Sequence, residues 1–230
     1  MAGYFPIMLA ITDDGFKRSV VSRIADRFGK LNGVRPRVIT SPPPGVPEDV
    51  HPTFYKAWLW DIVPDRVDRI MFMDWDVLPV RPLGEIPDCS FGACRDYSDI
   101  GPVSKYLPFI RETGLFFNAG LFLAGEVTRP LFDQVKPFAC KWEYSLLRYA
   151  DQGMFNVLLQ DGLDITVLPD DWNYQPAVIG GNYVQEPKML HFSALGDERW
   201  NLMALALDIL EADGPDALLG EMVNMDGQNG

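Results

Sequence analysis

Two short apolar runs near the start of the chain flank an amphipathic segment. The runs YFPIMLAIT and VRPRVIT have the length and composition of β-strands. Between them, basic residues occupy one face, and apolar residues recur at helical spacing on the other: Val20, Val21, Ile24, Phe28 and Leu31. A helix between two strands is typical of α/β folds, in which crossover helices connect parallel strands. The start of the chain therefore indicates the α/β class.

The same alternation continues through most of the chain. Apolar runs predict further strands: one ends at Asp74, and the others are SFGAC, GLFFNAGLFLAG, LDITVLP and KMLHFSA. Helical patterns separate them at 53–63, 130–138, 144–159 and 201–212. We therefore predict a single α/β domain over residues 1–203, with a mostly parallel central sheet flanked by helices. Residues 204–230 are rich in acids, and we expect an acidic C-terminal helix and a flexible tail there.

Composition limits the environment and the partners of this chain. Its 230 residues carry a net charge of −12, and no apolar run reaches the ~20 residues of a membrane span. The cysteines are odd in number and lack the C-x-x-C spacing of zinc sites, which is typical of a reducing compartment. We therefore expect a cytoplasmic protein without a membrane span. The acidic charge also argues against nucleic acid as a general partner.

The charge is distributed unevenly along the chain. Residues 17–37 contain one acid, Asp26, and many bases: Lys17, Arg18, Arg23, Arg27, Lys30, Arg35 and Arg37. A basic helix face of this kind is usually a solvated surface, and we interpret it so. The alternative is an anion-binding surface, which would dock a polyanion on this helix.

The stretch MFMDWDVLPV ends an apolar strand on two carboxylates, Asp74 and Asp76, with Trp75 between them. In an extended strand, residues two apart share a face, and their Cα atoms lie about 6.6 Å apart. Like charges this close repel each other, and a divalent cation would remove the repulsion. Aspartate is also common in solvated turns at strand ends, so the motif by itself favours a turn over a metal site.

Five further stretches accompany this motif along the chain. They are ITDD (11–14), FNAG (117–120), DQGMFN (151–156), LPDDWNYQ (168–175) and HFSALGDERWN (191–201). Together with MFMDWDVLPV they resemble, in order and spacing, the motifs of GT-A glycosyltransferases of family 8. That group includes glycogenin and bacterial lipopolysaccharide sugar transferases. The resemblance covers about residues 4–201 and implies the GT-A fold, a Rossmann-like single domain.

The resemblance also implies an activity. A family 8 enzyme would be a metal-dependent, retaining glycosyltransferase that moves a hexose or pentose from a UDP-sugar to a hydroxyl acceptor. Asp74, Asp76 and His191 would bind the metal, Mn²⁺ or alternatively Mg²⁺, and an imidazole among the ligands favours Mn²⁺. A saccharide is the default acceptor. A protein side chain and a hydroxylated base of phage-like DNA are alternatives that the sequence leaves open.

The resemblance assigns roles to further residues around the metal. The residues implied to contact the donor nucleotide are Ala10, Thr12, Asp13, Phe16, Lys56, Trp75 and Arg199. Lys56 would face phosphate or sugar, and Arg199 would replace a phosphate-binding lysine. The residues implied to contact the sugars are Asp96, Asn118, Ala119 and Gly120. Asp151 and Gln152 would lie against the reacting sugar as catalytic residues.

The family K-P-W segment reads as Glu198-Arg199-Trp200, with one extra residue after His191, and the sequence departs from the family pattern in three further places. Ala194 replaces a glycine, Arg148 stands where an acid is expected, and residues 97–115 are longer than the shortest family form. We expect that longer segment to shape the acceptor site. Two other function classes stay open, namely a carbohydrate-active hydrolase with an Asp pair and an inactive sugar-nucleotide-binding protein. The sequence indicates no oligomeric state.

Overall fold

The computed structural model describes residues 3–96, 115–141, 150–160, 163–176, 186–193 and 195–227. Arg148, Ala194 and residues 97–114 lie outside these ranges, as does the first part of the predicted helix 144–159. In chain order, the strands of the described part are β1 (Phe5–Leu9), β2 (Arg37–Ile39), β3 (Arg69–Asp74), β4 (Val77–Pro79), β5 (Phe91–Arg95), β6 (Phe117–Gly125), β7 (Ile165–Val167) and β8 (Met189–His191).

Six of these strands form the central sheet, in the order β2-β1-β3-β6-β5-β7. Strand β1 pairs in parallel with β2 and β3, and β5 pairs in parallel with β7. Strand β6 runs antiparallel to both of its neighbours, β3 and β5. The mostly parallel α/β sheet predicted from the sequence is therefore confirmed. The reversed direction of β6 brings the start of that strand beside the end of β3.

Strands β4 and β8 form a separate antiparallel pair. Val77 lies opposite His191, and the backbone N–H of Phe192 donates to the carbonyl oxygen of Asp76 over 2.9 Å. The sequence predicts β8 but not β4, because β4 follows the aspartates directly and no separate apolar run marks it. This short pairing carries His191 to the side of Asp76.

Helices cover both faces of the central sheet. They are α1 (Gly15–Asn32), α2 (Leu59–Ile62), α3 (Arg129–Ala139), α4 (Ala150–Gln160), α5 (Arg199–Ala212) and α6 (Pro215–Gly227), with 3₁₀ segments at Pro52–Trp58, Glu126–Thr128, Asp170–Trp172 and Gly196–Glu198. Helices α1, α5 and α6 pack on one face, and Pro52–Trp58, α3 and α4 pack on the other. Among the described residues, no helix combines the length and the apolar character that crossing a bilayer requires.

Strand β3 separates two hydrophobic cores. Met71 and Met73 are fully buried in the core under α1 and α5, whereas Ile70 and Phe72 are fully buried in the core under α3 and α4. Successive side chains of a strand point to opposite faces, so a strand covered on both faces must be apolar at every position. This double burial explains why β3 reads as an uninterrupted apolar run.

The segment 53–63 differs from its prediction as one helix. Pro52–Trp58 is a 3₁₀ helix, and only Leu59–Ile62 is α-helical. The residues from Phe54 to Trp58 are all buried. This continuous burial differs from the one-sided burial of a surface α-helix.

The end of the chain contains two consecutive helices. Helix α5 runs through residue 203, the predicted end of the domain, and α6 follows it. Leu207, Leu210 and Leu218 on these helices are buried in the core under α1. The division of the chain at residue 203 and the flexibility of a C-terminal tail remain predictions.

Phe122 lies at the centre of the aromatic core, and we expect its truncation to destabilise the fold strongly. Its ring centroid lies 4.8 Å from that of Phe72, 5.5 Å from Phe91 and 6.0 Å from Phe132. Phe122→Ala should lower the free energy of unfolding by about 3–5 kcal/mol in a urea titration, because it leaves a cavity. The control, Val127→Ala, alters a side chain that is 66% exposed. It should change the free energy of unfolding little. Equal effects of the two variants would contradict this view of the core.

Candidate active site

The D-W-D motif lies at the C-terminal end of β3, where the chain turns. Strand β3 ends at Asp74, Trp75 and Asp76 form a turn, and β4 begins at Val77. The extended geometry considered from the sequence therefore does not apply to this motif. The turn and the β4–β8 pair bring Asp74, Asp76 and His191 together, with one potential ligand atom of each within 4.8 Å of the others.

Asp76 is buried between an imidazole and a guanidinium. Its Oδ1 lies 3.3 Å from Nε2 of His191, and its Oδ2 accepts a 2.7 Å hydrogen bond from Nη1 of Arg199. Burial by itself would raise the pKa of Asp76, but His191 and Arg199 outweigh burial and lower this pKa to about 2. Asp76 is therefore a permanent carboxylate at neutral pH.

Asp74 shares the buried ammonium of Lys56 with Asp151. The Nζ of Lys56 donates to Asp74 over 2.9 Å, to Asp151 over 2.6 Å and to the carbonyl oxygen of Ala119 over 3.1 Å. Burial would lower the pKa of Lys56, but the charges of Asp151 and Asp74 outweigh burial and raise it. Burial raises the pKa of Asp74 to about 6, although the ammonium of Lys56 acts in the opposite direction. Lys56 is therefore a fixed positive charge within the site.

Asp96, Asn118 and Gln152 form a hydrogen-bonded network beside Lys56. Oδ2 of Asp96 accepts from the side-chain amides of Asn118, over 2.9 Å, and of Gln152, over 2.7 Å. The amide oxygen of Gln152 accepts from the backbone N–H of Ala119 over 3.1 Å, and that of Asn118 accepts from the N–H of Gly120 over 2.8 Å. The main chain of β6 therefore fixes the orientation of both amides.

Two further residues hold this network in place, and the sequence analysis assigns them no role. Asn156 on α4 accepts from the N–H of Phe117 over 2.9 Å and donates to the carbonyl oxygen of the same residue over 2.8 Å. The hydroxyl of Thr53 donates to Oδ1 of Asp151 over 3.3 Å. The last position of the motif DQGMFN is the signal for Asn156, whereas no motif marks Thr53.

A cavity of about 260 Å³ opens beside the charged groups. Leu9 and Ile11 at the end of β1 form an apolar wall, and His51, which the sequence analysis does not select, lies next to them. The predicted site residues that line this cavity are Lys56, Asp74, Trp75, Asp76 and Arg199. A concave surface with an apolar wall and a few convergent charged groups is typical of a small-molecule site.

The residues predicted to contact uridine lie outside the lining of this cavity. Ala10 and Thr12 line a neighbouring cavity of about 290 Å³ together with Arg18. Asp13 is exposed, and so is Phe16, at 49%. The structure therefore brings Asp74, Asp76 and the predicted phosphate residues together in one cavity. It separates the predicted uridine contacts between the second cavity and the surface.

Asp74, Asp76 and His191 fit a divalent metal ion. Two carboxylates and an imidazole are ligand types that bind divalent metal ions. Nδ1 of His191 is buried and lacks a hydrogen-bond partner within the described part of the chain. A Cβ atom on Gly120 would lie 2.3 Å from Cε1 of His191, so the glycine leaves the space that the imidazole occupies.

Sequence comparison with protein-family models and with curated proteins gives no match. Comparison with solved structures finds a galactosyltransferase, LgtC, in complex with donor and acceptor sugar analogues, at 16% identity and a TM-score of 0.60 over 87% of this chain and 95% of that chain. A glycosyltransferase involved in the glycosylation of the major capsid of PBCV-1 has 12% identity and a TM-score of 0.62 over 87% and 99%. Mouse xyloside xylosyltransferase 1, in its apo form, has 14% identity and a TM-score of 0.53 over 83% and 98%.

The identities are low, and the likeness therefore concerns the fold. The chain has the GT-A fold of these glycosyltransferases.

Proposed function

We propose that this chain is a metal-dependent glycosyltransferase of the family 8 type. The observation that supports the proposal is the convergence of Asp74, Asp76 and His191 at the end of β3 in a chain with the GT-A fold. Two carboxylates and an imidazole in one cluster are ligand types that bind a divalent metal ion. Among the neighbours in fold, LgtC is a galactosyltransferase that binds donor and acceptor sugar analogues.

The proposed donor is a UDP-sugar whose diphosphate lies at the metal site. Bound Mn²⁺ would supply positive charge to the diphosphate, which becomes more negative as the anomeric C–O bond breaks. Lys56 and Arg199 line the same cavity and add positive charge near the proposed diphosphate position. The proposed uridine contacts are Ala10, Thr12, Asp13 and Phe16.

Asp151 and Gln152 are the proposed catalytic residues. Asp151 accepts a 2.6 Å hydrogen bond from Lys56, which also bonds Asp74 of the metal cluster, and Gln152 belongs to the amide network around Asp96. The reacting sugar gains oxocarbenium character, which the negative charge of Asp151 stabilises. Asp96 and Asn118 would hold sugar hydroxyls, together with the backbone of Ala119 and Gly120. The proposed outcome is transfer of a hexose or pentose with retention of the anomeric configuration.

We propose a saccharide as the acceptor and the cytoplasm as the location of the protein. The alternative of a DNA acceptor relies on the basic face of α1. In the structure, Arg23 on this helix pairs with Asp208 over 2.7 Å and with Glu211 over 3.0 Å, both on α5. Arg27 donates to the carbonyl oxygen of Pro79 over 2.7 Å. These bonds favour a role of the basic residues in helix packing over a role in polyanion docking.

A donor panel tests the proposal directly. The protein is incubated with Mn²⁺ and a series of UDP- and GDP-sugars, and the released nucleotide is measured. Release of UDP that requires Mn²⁺ and increases with a saccharide acceptor would support the transferase. Sugar hydrolysis without a nucleotide donor would favour the hydrolase, and UDP binding without turnover would favour the inactive binding protein.

We expect Asp74→Asn and Asp76→Asn to abolish donor turnover. Asparagine has the size of aspartate but lacks the negative charge that binds a divalent cation, so Mn²⁺ affinity should be lost. Released UDP and Mn²⁺ affinity, measured by electron paramagnetic resonance, check this expectation, and circular dichroism checks the fold. The control is Asp65→Asn, which alters an exposed carboxylate. Turnover near the wild-type rate in either site variant would exclude the metal role.

Gly120→Ala should weaken Mn²⁺ binding without unfolding the protein. The new methyl group would lie 2.3 Å from the imidazole of His191, which would have to move away from Asp76. Displacement of a metal ligand through its supporting residue typically costs about tenfold or more in affinity. Calorimetric Mn²⁺ titration measures the change. Gly220→Ala is the matched control, because a Cβ there meets no atom within 4 Å. Unchanged affinity in Gly120→Ala would remove His191 from the metal site.

We expect no specific binding of duplex DNA to the basic face of α1. A titration by fluorescence anisotropy should give no dissociation constant of micromolar or tighter at moderate salt, because the arginines already pair within the protein. The double variant Arg18→Ala/Lys30→Ala should behave like the wild type. If DNA binds and the variant reduces the slope of log K against log[salt] by about 0.9 per lost contact, these residues neutralise phosphates. That result would make nucleic acid the preferred acceptor.

A further inference from the structure

Arg199 occupies a position between the metal cluster and the ligand cavity. Its Nη1 donates to Oδ2 of Asp76 over 2.7 Å, and its side chain also lines the cavity of about 260 Å³. The side chain is 28% exposed, so the guanidinium is partly accessible from the cavity. Its Nε is buried and has no hydrogen-bond partner among the described residues. Arg199 therefore has donor capacity that its bond to Asp76 leaves unused.

The guanidinium lies on a platform of aromatic rings. The Cζ of Arg199 lies 4.7 Å from the ring centroid of Trp75, and Trp75 stacks on Trp200 with centroids 3.7 Å apart and ring planes inclined by 4°. On the Trp200 side, Nζ of Lys17 lies 5.2 Å from that ring. A guanidinium can slide over an aromatic face without losing the cation–π attraction, so the platform allows Arg199 to move within the cavity.

The charges around Arg199 favour such a movement when a metal binds. The contacts of the site join three carboxylates, on Asp74, Asp76 and Asp151, to two cations, on Lys56 and Arg199. A divalent cation on Asp74 and Asp76 would give this group an excess of positive charge and would repel the guanidinium. A diphosphate in the cavity would attract it, because arginine binds phosphate oxygens through paired N–H donors.

We propose that Arg199 exchanges partners during donor binding. It neutralises Asp76 when no metal is present, leaves Asp76 when the metal binds, and then binds the diphosphate of the donor. Arg199 thereby makes metal binding weak in the absence of nucleotide and couples metal binding to donor binding. This role rests on the proposed function, since it requires the metal site at Asp74, Asp76 and His191.

The first test measures the affinity of Mn²⁺ alone and the affinity of UDP in the presence of Mn²⁺. Arg199→Gln removes the cation that competes for Asp76, so Mn²⁺ affinity should rise about tenfold, the effect of one hydrogen bond to a charged group. UDP affinity in saturating Mn²⁺ should fall about tenfold for the same reason. The matched control is Lys17→Gln, which removes the cation on the far side of the ring stack and should change neither affinity. Lower or unchanged Mn²⁺ affinity in Arg199→Gln would overturn the exchange.

A second test uses the wild-type protein and therefore needs no variant to fold. Phenylglyoxal modifies accessible arginines, and mass spectrometry measures the modification of Arg199. Modification should increase with Mn²⁺ alone, because the guanidinium is released from Asp76, and decrease when UDP is added. Arg23, which pairs with Asp208 and Glu211 on the surface, is the internal reference and should not respond. No increase with Mn²⁺ would mean that Arg199 stays on Asp76 and would refute the proposal.

A third measurement separates failure of this inference from failure of the proposed function. Asp76→Asn should lose Mn²⁺ binding if the metal site exists. If Asp76→Asn loses Mn²⁺ while Arg199 responds to neither ligand, the metal site stands and the exchange is wrong. If Asp76→Asn binds Mn²⁺ as well as the wild type does, the metal site itself is wrong, and the role of Arg199 is refuted with it.

Discussion

The buried ammonium of Lys56 is the interaction on which the rest of the site depends. It joins the 3₁₀ segment Pro52–Trp58 to Asp74 on β3, to the main chain of β6 at Ala119 and to Asp151 on α4. A buried charge is very unfavourable unless it is paired and hydrogen-bonded, and the same holds for each buried carboxylate. The cation and its two carboxylates are therefore stable only together. The fold must bring four separate segments of the chain to one point for any of these groups to be buried.

The buried carboxylate of Asp76 also needs a partner, and it pairs with Arg199 and lies beside His191. Each aspartate of the D-W-D motif thus has a cation supplied by the protein. This differs from small structural zinc domains, which fold only when the metal neutralises their ligands. Because Lys56 and Arg199 already compensate the carboxylates, the fold does not require a metal. Metal binding can then be coupled to a ligand in the cavity and need not be coupled to folding.

The sequence predicts those features of the site that depend on local patterns. The apolar run before Asp74 predicts β3, the helical spacing from Val20 to Leu31 predicts α1, and both are confirmed. The contact of Arg199 with Asp76 depends on the path of the chain between distant segments, and no local pattern encodes it. Aspartate at the end of β3 favours a turn, and the structure has one at Trp75 and Asp76. Strand β4 follows that turn without a break, so no separate apolar run marks it. Pairing and burial between distant segments determine these details.

Trp75 shows how far the site extends along the chain. Its large aromatic ring lies between Asp74 and Asp76 in the sequence and stacks on Trp200 at the start of α5. The stack fixes the first turn of α5 against the β3–β4 turn and thereby sets the position of the Arg199 main chain near Asp76. Helix α5 is held in turn by residues beyond 203, because Leu207 and Leu210 are buried in the core under α1. A catalytic unit that ended at residue 203 would retain Arg199 but would lose the packing that positions it.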